Sequence, residues 1–264
     1  MPRAKRRLSQ HFLTDPRLLA RIADALAPSR DDTVLEVGPG PGGLTAVLLE
    51  RAGRVVAIEK DHDLVPVLRA RLPEATIIHG DALESDWRAL AGPRFLVAGN
   101  IPYNITSPLI DKALEPPRPA RIVYLVQLEV AERVTASPGT KEYGALSVGV
   151  QSVARAERLF TVPAGAFHPR PKVDSAVLRL VPLDNPAIED REAAAFRRLV
   201  VGLFGFRRKQ LVRGLRELTG WPTMRVERVL EVVGIEAKLR PEVLSPELFT
   251  RLMRALVDGG WSAR

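Results

Sequence analysis

The sequence contains no cysteine among its 264 residues. This absence excludes disulfide bonds, thiolate nucleophiles, cysteine-bound zinc and iron–sulfur clusters. The basic start MPRAKRR is followed by LSQHFLTDPR rather than by an apolar stretch, so we expect no signal peptide. No apolar run approaches membrane-spanning length, and the histidines lack metal-ligand spacing. We therefore expect a soluble, cytoplasmic protein with no membrane segment and no metal.

Positive charge is in excess, with 39 Lys and Arg against 31 Asp and Glu, a net charge of +8 and an isoelectric point near 10.3. This balance favours a polyanionic partner such as a nucleic acid, although many basic proteins bind none. The chain is long enough for one large domain and a smaller second one.

Short apolar runs alternate with helical patterns up to about residue 135, which is typical of an α/β fold with a mostly parallel sheet. The predicted strands are TVLEV (33–37), RVVAIE (54–59), ATIIHG (75–80), RFLVAGN (94–100) and ARIVYLVQ (120–127). Two later runs, RAERLFTVP and KVDSAVLRLVP, are joined by the loop AGAFHPRP and predict an antiparallel pair at the sheet edge.

Helix signals complete this organisation. The segment DPRLLARIADAL predicts a helix with Asp15 as N-cap, and further helices are expected near Gly43, near Asp61 as another N-cap, and near Ile105. After LDNPAIED the pattern is helical to the end of the sequence. We predict a catalytic domain over residues 1–183 and a small helical domain over 184–264.

The first strand runs into EVGPGPGGLT, which places a G-x-G-x-x-G spacing between a strand and a helix, at Gly38, Gly40 and Gly43. Nicotinamide enzymes and methyltransferases share this arrangement. Pro39 and Pro41, however, remove two backbone N–H donors that a pyrophosphate would need. The loop therefore favours S-adenosylmethionine, which carries no phosphate, over a dinucleotide.

Two carboxylates follow the next strands of the predicted sheet. Glu59 ends the second strand, where an acidic side chain can accept from both hydroxyls of a ribose. Asp81 follows the third strand at the same edge. It could accept from the amine of a cofactor's adenine or cap a helix, and the sequence leaves both interpretations open.

The stretch GNIPYNITSPL ends the fourth strand, because Pro102 has no N–H for the sheet. We predict that the Asn100 side-chain oxygen and the Ile101 carbonyl accept from the amine of a target adenine and stabilise developing positive charge. Pro102 fixes this corner, and Tyr103 offers a ring for stacking. The alternative is an Asn-capped turn with Tyr103 in the core. Methylation of a pyrimidine carbon is excluded, since it needs a thiolate.

Through both domains, the chain resembles the small-subunit rRNA adenine dimethyltransferases of the KsgA (RsmA) family. The resemblance rests on the motifs described above together with LSQHFL, AIEKD, HGDAL, LVQLEVAERV, YGALSV, AFHPRPKVDSAVLRL and FGFRRK. The resemblance implies a Rossmann-like class I methyltransferase sheet and dimethylation of two adjacent adenines near the 3′ end of 16S rRNA in the immature 30S subunit. It implies a cofactor site formed by His11, Leu13, Gly38, Gly40, Glu59, Asp81 and Asn100. It also implies a target pocket formed by Asn100, Tyr103 and Phe167.

The start of the chain departs from the family, which usually has Phe-Gly-Gln-Asn-Phe-Leu where this chain has LSQHFL. His11 replaces the asparagine, so a backbone contact to the cofactor is expected to persist while a side-chain contact need not.

Between Arg197 and Arg216 there are seven basic residues and no acidic one. This favours phosphate contact over a solvated helix face. The predicted RNA contacts are Arg207, Arg208 and Lys209 in this run, Arg6 and Arg7 in an N-terminal arm, and Arg170 and Lys172 beside Phe167.

Three other functions compete with a monomeric small-subunit enzyme. They are a large-subunit rRNA methyltransferase of the macrolide-resistance type, a non-catalytic assembly factor, and a nicotinamide dehydrogenase. Pro39 and Pro41 oppose the last of these.

Overall fold

The structure of the protein is a computed structural model that describes residues 10–262. Its chain divides into two compact units. The first holds the described residues up to Glu132 together with Arg155–Pro182, and the second holds Arg133–Ala154 and the described residues from Leu183 onward.

The first unit is built on strands that alternate with short helices. Its strands are β1 (Phe12–Leu13), β2 (Thr33–Val37), β3 (Arg54–Glu59), β4 (Thr76–His79), β5 (Leu96–Asn100), β6 (Arg121–Gln127), β7 (Ala154–Val162), β8 (Phe167–His168) and β9 (Ser175–Pro182). Its helices are α1 (Pro16–Leu26), α2 (Gly43–Leu49), α3 (Leu64–Arg71), α4 (Trp87–Ala91), α5 (Thr106–Ala113) and α6 (Leu128–Thr135), the last of which continues into the second unit.

A seven-stranded sheet has the order β4-β3-β2-β5-β6-β9-β7. The strands from β4 to β6 pair in parallel, and β9 pairs antiparallel to β6, with Gln127 opposite Ser175. The central strands read as nearly continuous apolar runs because both of their faces are buried. The predicted mostly parallel α/β sheet with an antiparallel edge is confirmed. Its parallel strands bring the residues after β2, β3, β4 and β5 to one edge.

The helix signals were read correctly at one N-terminus and wrongly at another. The Asp15 carboxylate accepts from the N–H groups of Arg17 and Leu18, at 2.8 and 3.4 Å, and caps α1 as predicted. Helix α3 begins at Leu64, so the prediction of Asp61 as its N-cap is wrong. Within residues 10–262, no helix is both long enough and apolar enough to cross a membrane.

A second, two-stranded sheet was not anticipated from the sequence. Strands β1 and β8 pair antiparallel, with Phe12 opposite His168 and Leu13 opposite Phe167. Strands of two residues show no periodicity, so only the folded chain reveals that the LSQHFL motif and the AFHP loop meet.

The second unit is helical and contains α7 (Ala145–Gln151), α8 (Ala193–Gly205), α9 (Leu211–Thr219), α10 (Thr223–Val233) and α11 (Pro246–Asp258). The predicted boundary after residue 183 counts Arg133–Ala154 with the first domain, whereas these residues group with the second unit. Tyr143 accounts for this grouping. Its ring packs edge-on against Phe204 at 6.2 Å, and its hydroxyl donates to the Leu244 carbonyl at 2.8 Å.

Candidate active site

The glycine loop after β2 has a backbone that favours glycine. Gly38 and Gly40 have φ angles of +69° and +57°, in the left-handed region that other residues rarely adopt. The Gly40 N–H donates to Oε2 of Glu59 at 3.1 Å, which ties the loop to the end of β3. A side chain at position 40 would also meet the Phe12 ring at 3.0 Å, so glycine is favoured there by space as well as by backbone conformation.

Glu59 is almost fully buried, with 5% of its surface exposed. Its second oxygen, Oε1, accepts from the Asp61 N–H at 2.7 Å. Burial raises the pKa of Glu59, and the two backbone N–H groups oppose that rise. Since each carboxylate oxygen can accept more than one hydrogen bond, Glu59 keeps the capacity to accept from ribose hydroxyls.

Asp81 is held as an ionised acceptor. Its Oδ2 pairs with the Lys60 ammonium at 2.5 Å, and its Oδ1 accepts from the Leu83 N–H at 3.0 Å. The hydrogen bond from Lys60 is the main cause of a lowered pKa at Asp81. Helix α4 takes Asp86 as its N-cap, so Asp81 fixes the turn before that helix without capping it.

At the end of β5, the Asn100 side chain has a defined orientation. Its Nδ2 donates to the His11 carbonyl at 2.8 Å, which leaves Oδ1 as the acceptor. The following turn, Tyr103–Ile105, has Pro102 at its N-cap and no side-chain cap hydrogen bond, so Asn100 does not cap it, contrary to the alternative that the sequence left open. The two oxygens that the adenine hypothesis requires, Asn100 Oδ1 and the Ile101 carbonyl, lie in consecutive residues at the edge of the sheet.

Tyr103 is half-buried rather than part of the core. Its hydroxyl and Ser175 Oγ are 2.6 Å apart and share a hydrogen bond, and burial raises the pKa of the phenol. The His11 imidazole stacks on the Tyr103 ring with the two ring centres 5.5 Å apart and the planes inclined by 24°. A stacked ring on one face and a hydrogen bond at the hydroxyl thus fix the orientation of the Tyr103 ring.

One cavity brings nearly all of the predicted residues together. Its lining includes the predicted cofactor residues His11, Leu13, Gly38, Gly40, Glu59, Asp81 and Asn100, and also Ile101, Pro102 and Tyr103. Phe167 does not line this cavity. It is 4% exposed and packs in the core with Leu13 and Leu19. Its predicted role as a wall of the target pocket stays a prediction.

Sequence reasoning missed Glu36, which lines the same cavity from within β2. It is 1% exposed, and burial raises its pKa to about 8, opposed by the neighbouring Thr45 hydroxyl. Its Oε2 has no hydrogen-bond partner among the described residues. A glutamate inside an otherwise apolar strand, TVLEV, was the signal that could have revealed it.

The predicted RNA contacts lie in different settings. Arg6 and Arg7 fall outside the described residues. Arg170, Lys172 and Arg208 are exposed, whereas Arg207 is half-buried and donates to the Lys141 carbonyl at 2.7 Å. The Lys209 ammonium lies 4.9 Å from the centre of the Phe206 ring. Arg207 is thus partly engaged within its own unit, and Arg208 is the better exposed neighbour.

Among the described residues, one group of side chains brings three potential metal-ligand atoms close together, although the sequence predicts no metal. Asp61, His62 and Asp63 place one ligand atom each within 4.8 Å of the others. His62 pairs with Asp63 at 2.8 Å, and Asp61 accepts from Gln10 Nε2 at 3.2 Å. These contacts already engage the three side chains, two of which are exposed.

Comparisons with known proteins show the family of the chain. A family model described as ribosomal RNA adenine dimethylase matches residues 1–256. A Ribosomal RNA small subunit methyltransferase A from Geobacter metallireducens is 46% identical over 98% of this chain and 97% of the relative. Another protein of that name, from Acidithiobacillus ferrooxidans, is 40% identical over 98% of this chain and 97% of that relative.

Two solved structures are similar over almost the whole chain. A dimethyladenosine transferase from Plasmodium falciparum has a TM-score of 0.85 and 26% identity, covering 95% of this chain and 99% of its own. The 23S rRNA methyltransferase ErmE has a TM-score of 0.73 and 32% identity, covering 93% of this chain and 99% of its own.

Proposed function

The chain belongs to the ribosomal RNA adenine dimethylase family, and we propose that it dimethylates two adjacent adenines near the 3′ end of 16S rRNA in the immature 30S subunit. It is a methyltransferase whose cofactor is S-adenosylmethionine. One observation carries the proposal for the site. Asn100 donates its amide N–H to His11, so its oxygen is the acceptor left for a target amine in the cavity that Glu59 and Asp81 also line.

The residues of the cavity fit S-adenosylmethionine. Glu36 supplies a buried carboxyl whose Oε2 has no hydrogen-bond partner among the described residues, so the cavity offers an unsatisfied polar atom to a ligand. Pro39 and Pro41 offer that ligand no N–H, and it requires none there. When bound, the cofactor supplies an electrophilic methyl group on a sulfonium.

We assign the polar ends of the cofactor to two carboxylates. Glu59 accepts from the ribose hydroxyls, and Asp81, kept ionised by Lys60, accepts from the amine of the cofactor's adenine. Gly38 and Gly40 permit close approach of the backbone, while His11 and Leu13 contribute from β1 and the residue before it. These assignments explain why the carboxyl ends of the neighbouring strands β3 and β4 each carry a carboxylate acceptor.

The exocyclic nitrogen of the target adenine is a poor nucleophile, because its lone pair is delocalised into the ring. Asn100 Oδ1 and the Ile101 carbonyl would accept from its two N–H groups and stabilise the positive charge that develops on nitrogen. Pro102, with φ of −59°, fixes the corner that presents the carbonyl, and Tyr103 stacks on the base. A neutral asparagine suffices, since the alkylated nitrogen becomes acidic and loses its proton to water.

RNA binding is assigned to basic residues in both parts of the chain. Arg6, Arg7, Arg170 and Lys172 belong to the catalytic part, and Arg207, Arg208 and Lys209 to the helical unit. Counterion release from phosphates would supply most of the affinity. We propose that the first unit carries out methyl transfer and that the second, including Arg133–Ala154, is the main RNA-binding unit.

The enzyme is proposed to act as a monomer in the cytoplasm. The proposed substrate, an immature small subunit, is assembled in the cytoplasm.

The test is methyl transfer from labelled S-adenosylmethionine to undermethylated small subunits, protein-free large-subunit rRNA and duplex DNA, followed by nucleoside analysis. We expect label as dimethyladenosine in small subunits alone. Label only in large-subunit rRNA would replace the proposal with the macrolide-resistance type of activity. Absence of transfer to every substrate, with cofactor still bound, would refute the catalytic mechanism.

The large-subunit activity is the second candidate because ErmE shares the fold over nearly the whole chain. The identity to relatives with small-subunit names is higher, and this supports the small subunit as substrate. A role in ribosome assembly could accompany catalysis. An Asn100→Ala protein that still bound precursor subunits would reveal it.

A further inference from the structure

Among the described residues, His11 makes three contacts, and two of them are with residues assigned to the target adenine, Asn100 and Tyr103. Its carbonyl accepts from Asn100, its Nδ1 lies 2.7 Å from the Pro169 carbonyl, and its ring stacks on Tyr103. Because a carbonyl only accepts, Nδ1 must carry the proton and donate to Pro169. The side chain that replaces the family's usual asparagine therefore lies with the target-site residues.

The target base needs the same two partners that His11 engages. To react, an adenine must reach Asn100 Oδ1 and stack on the ring of Tyr103. His11 contacts both of these residues at once, Asn100 through its backbone carbonyl and Tyr103 through its ring. A base in reach of both would take the space that the imidazole fills.

We propose that the His11 imidazole is a placeholder for the target adenine, stacked on Tyr103 in the free enzyme and displaced when the base enters. This inference rests on the proposed function, since it presumes an adenine as substrate. It makes the His11 side chain a residue that sets affinity for RNA. The role expected from the family resemblance, a contact to the cofactor, is left to the backbone of His11.

Displacement of the His11 side chain would disturb few other contacts. Phe12 and Leu13, which follow His11, are buried and paired with β8, so the backbone at this point is held in place. Rotation of the side chain would leave the carbonyl on Asn100 and break only the bond to Pro169 and the ring stack. Tyr103 would stay in place, because Ser175 holds its hydroxyl.

The experiment compares the wild-type enzyme with His11→Ala, which removes the ring and keeps the backbone, and with His11→Phe, which keeps a stacking ring. His168→Ala is the matched control, since His168 is an exposed neighbour in β8 that does not line the cavity. Three quantities are measured: KM for undermethylated small subunits, kcat, and the Kd of S-adenosylhomocysteine by calorimetry. The Kd of the small subunits without cofactor is measured as well.

Removing an aromatic stack that competes with the base should lower KM and the Kd for small subunits about three- to tenfold in His11→Ala. His11→Phe should bind small subunits no more tightly than the wild type, and the Kd of S-adenosylhomocysteine should change less than twofold in both variants. A raised KM in His11→Ala, or a KM within twofold of wild type, would overturn the placeholder. A weakened Kd for S-adenosylhomocysteine with unchanged RNA binding would overturn it in favour of a cofactor contact.

The binding measurement separates this inference from the proposed function. If the wild type methylates small subunits and His11→Ala does not tighten binding, only the placeholder fails. If the wild type transfers no methyl group to small subunits, the proposed function fails, whatever the binding of the variants shows.

Discussion

The Asn100→Ala variant tests the catalytic proposal most directly. The substitution removes Oδ1, one of the two acceptors assigned to the target amine, and Nδ2, which donates to the His11 carbonyl. Loss of one preorganised transition-state contact of this kind typically lowers kcat by about 10²–10³, or about 2.7–4 kcal/mol. The lost donor would also leave the His11 carbonyl short of a partner, which costs about 1–3 kcal/mol of folding stability where it stays dry.

Asn100→Asp separates these two effects. It keeps an acceptor oxygen at the target site, but it replaces the amide donor with a second oxygen that repels the His11 carbonyl. We expect Asn100→Asp to lose stability as Asn100→Ala does, and to retain more of the single-turnover rate.

The assay is single-turnover methyl transfer to undermethylated small subunits at saturating cofactor, with urea unfolding of each variant as the measure of stability. The Kd of S-adenosylhomocysteine reports whether the cofactor site survives. An Asn100→Ala enzyme that keeps its fold and its cofactor affinity, and whose kcat falls less than about tenfold, would contradict the assignment of Asn100 as a transition-state acceptor.

Three further outcomes follow from other parts of the structure. Burial raises the pKa of Glu36 from 4.5 to about 8, so the folded protein holds a proton there that the unfolded chain releases. The stability that this protonated carboxyl contributes is complete below about pH 4.5 and is lost as pH rises to 8. Glu36→Gln should flatten that loss when urea unfolding is measured against pH. Substituting alanine for Arg208 or Lys209 should reduce the salt dependence of RNA binding by about one unit of slope per phosphate contact, and an unchanged slope would exclude that contact. Tyr143→Phe removes the hydroxyl that donates to the buried Leu244 carbonyl, and it should lower the free energy of unfolding by about 1–3 kcal/mol. Tyr124→Phe removes a buried hydroxyl that has no partner among the described residues, and it should leave the free energy of unfolding unchanged or raise it.

The sequence was sufficient for the parallel part of the fold. Each buried strand is a short apolar run between turn signals, and the run ends at a residue that the fold places at the edge of the sheet, as Asn100 and Glu59 do. A glycine loop between strand and helix and a proline after Asn100 are local patterns, so they are visible in one short window of sequence.

The first residues of the helices were harder to predict from the sequence than the strands. Asp15 and Asp61 both precede an amphipathic segment, but only Asp15 caps a helix. The Asp61 carboxylate instead accepts from the Asp63 N–H at 3.1 Å and from Gln10. Asp61 thus stabilises the turn before α3 and contacts a residue distant in sequence, while the helix itself begins three residues later.

The amino-acid sequence by itself determined which polar groups follow each strand: a glycine loop, two carboxylates and an asparagine, each at the end of a buried run. Only the tertiary structure decided what surrounds them. His11 contacts Asn100 from 89 residues away and Pro169 from 158, Phe167 packs in the core, and Glu36 is buried deeply enough for its pKa to rise to about 8. Such contacts depend on distance and desolvation in the folded chain, and neither quantity is encoded in the spacing of residues along it.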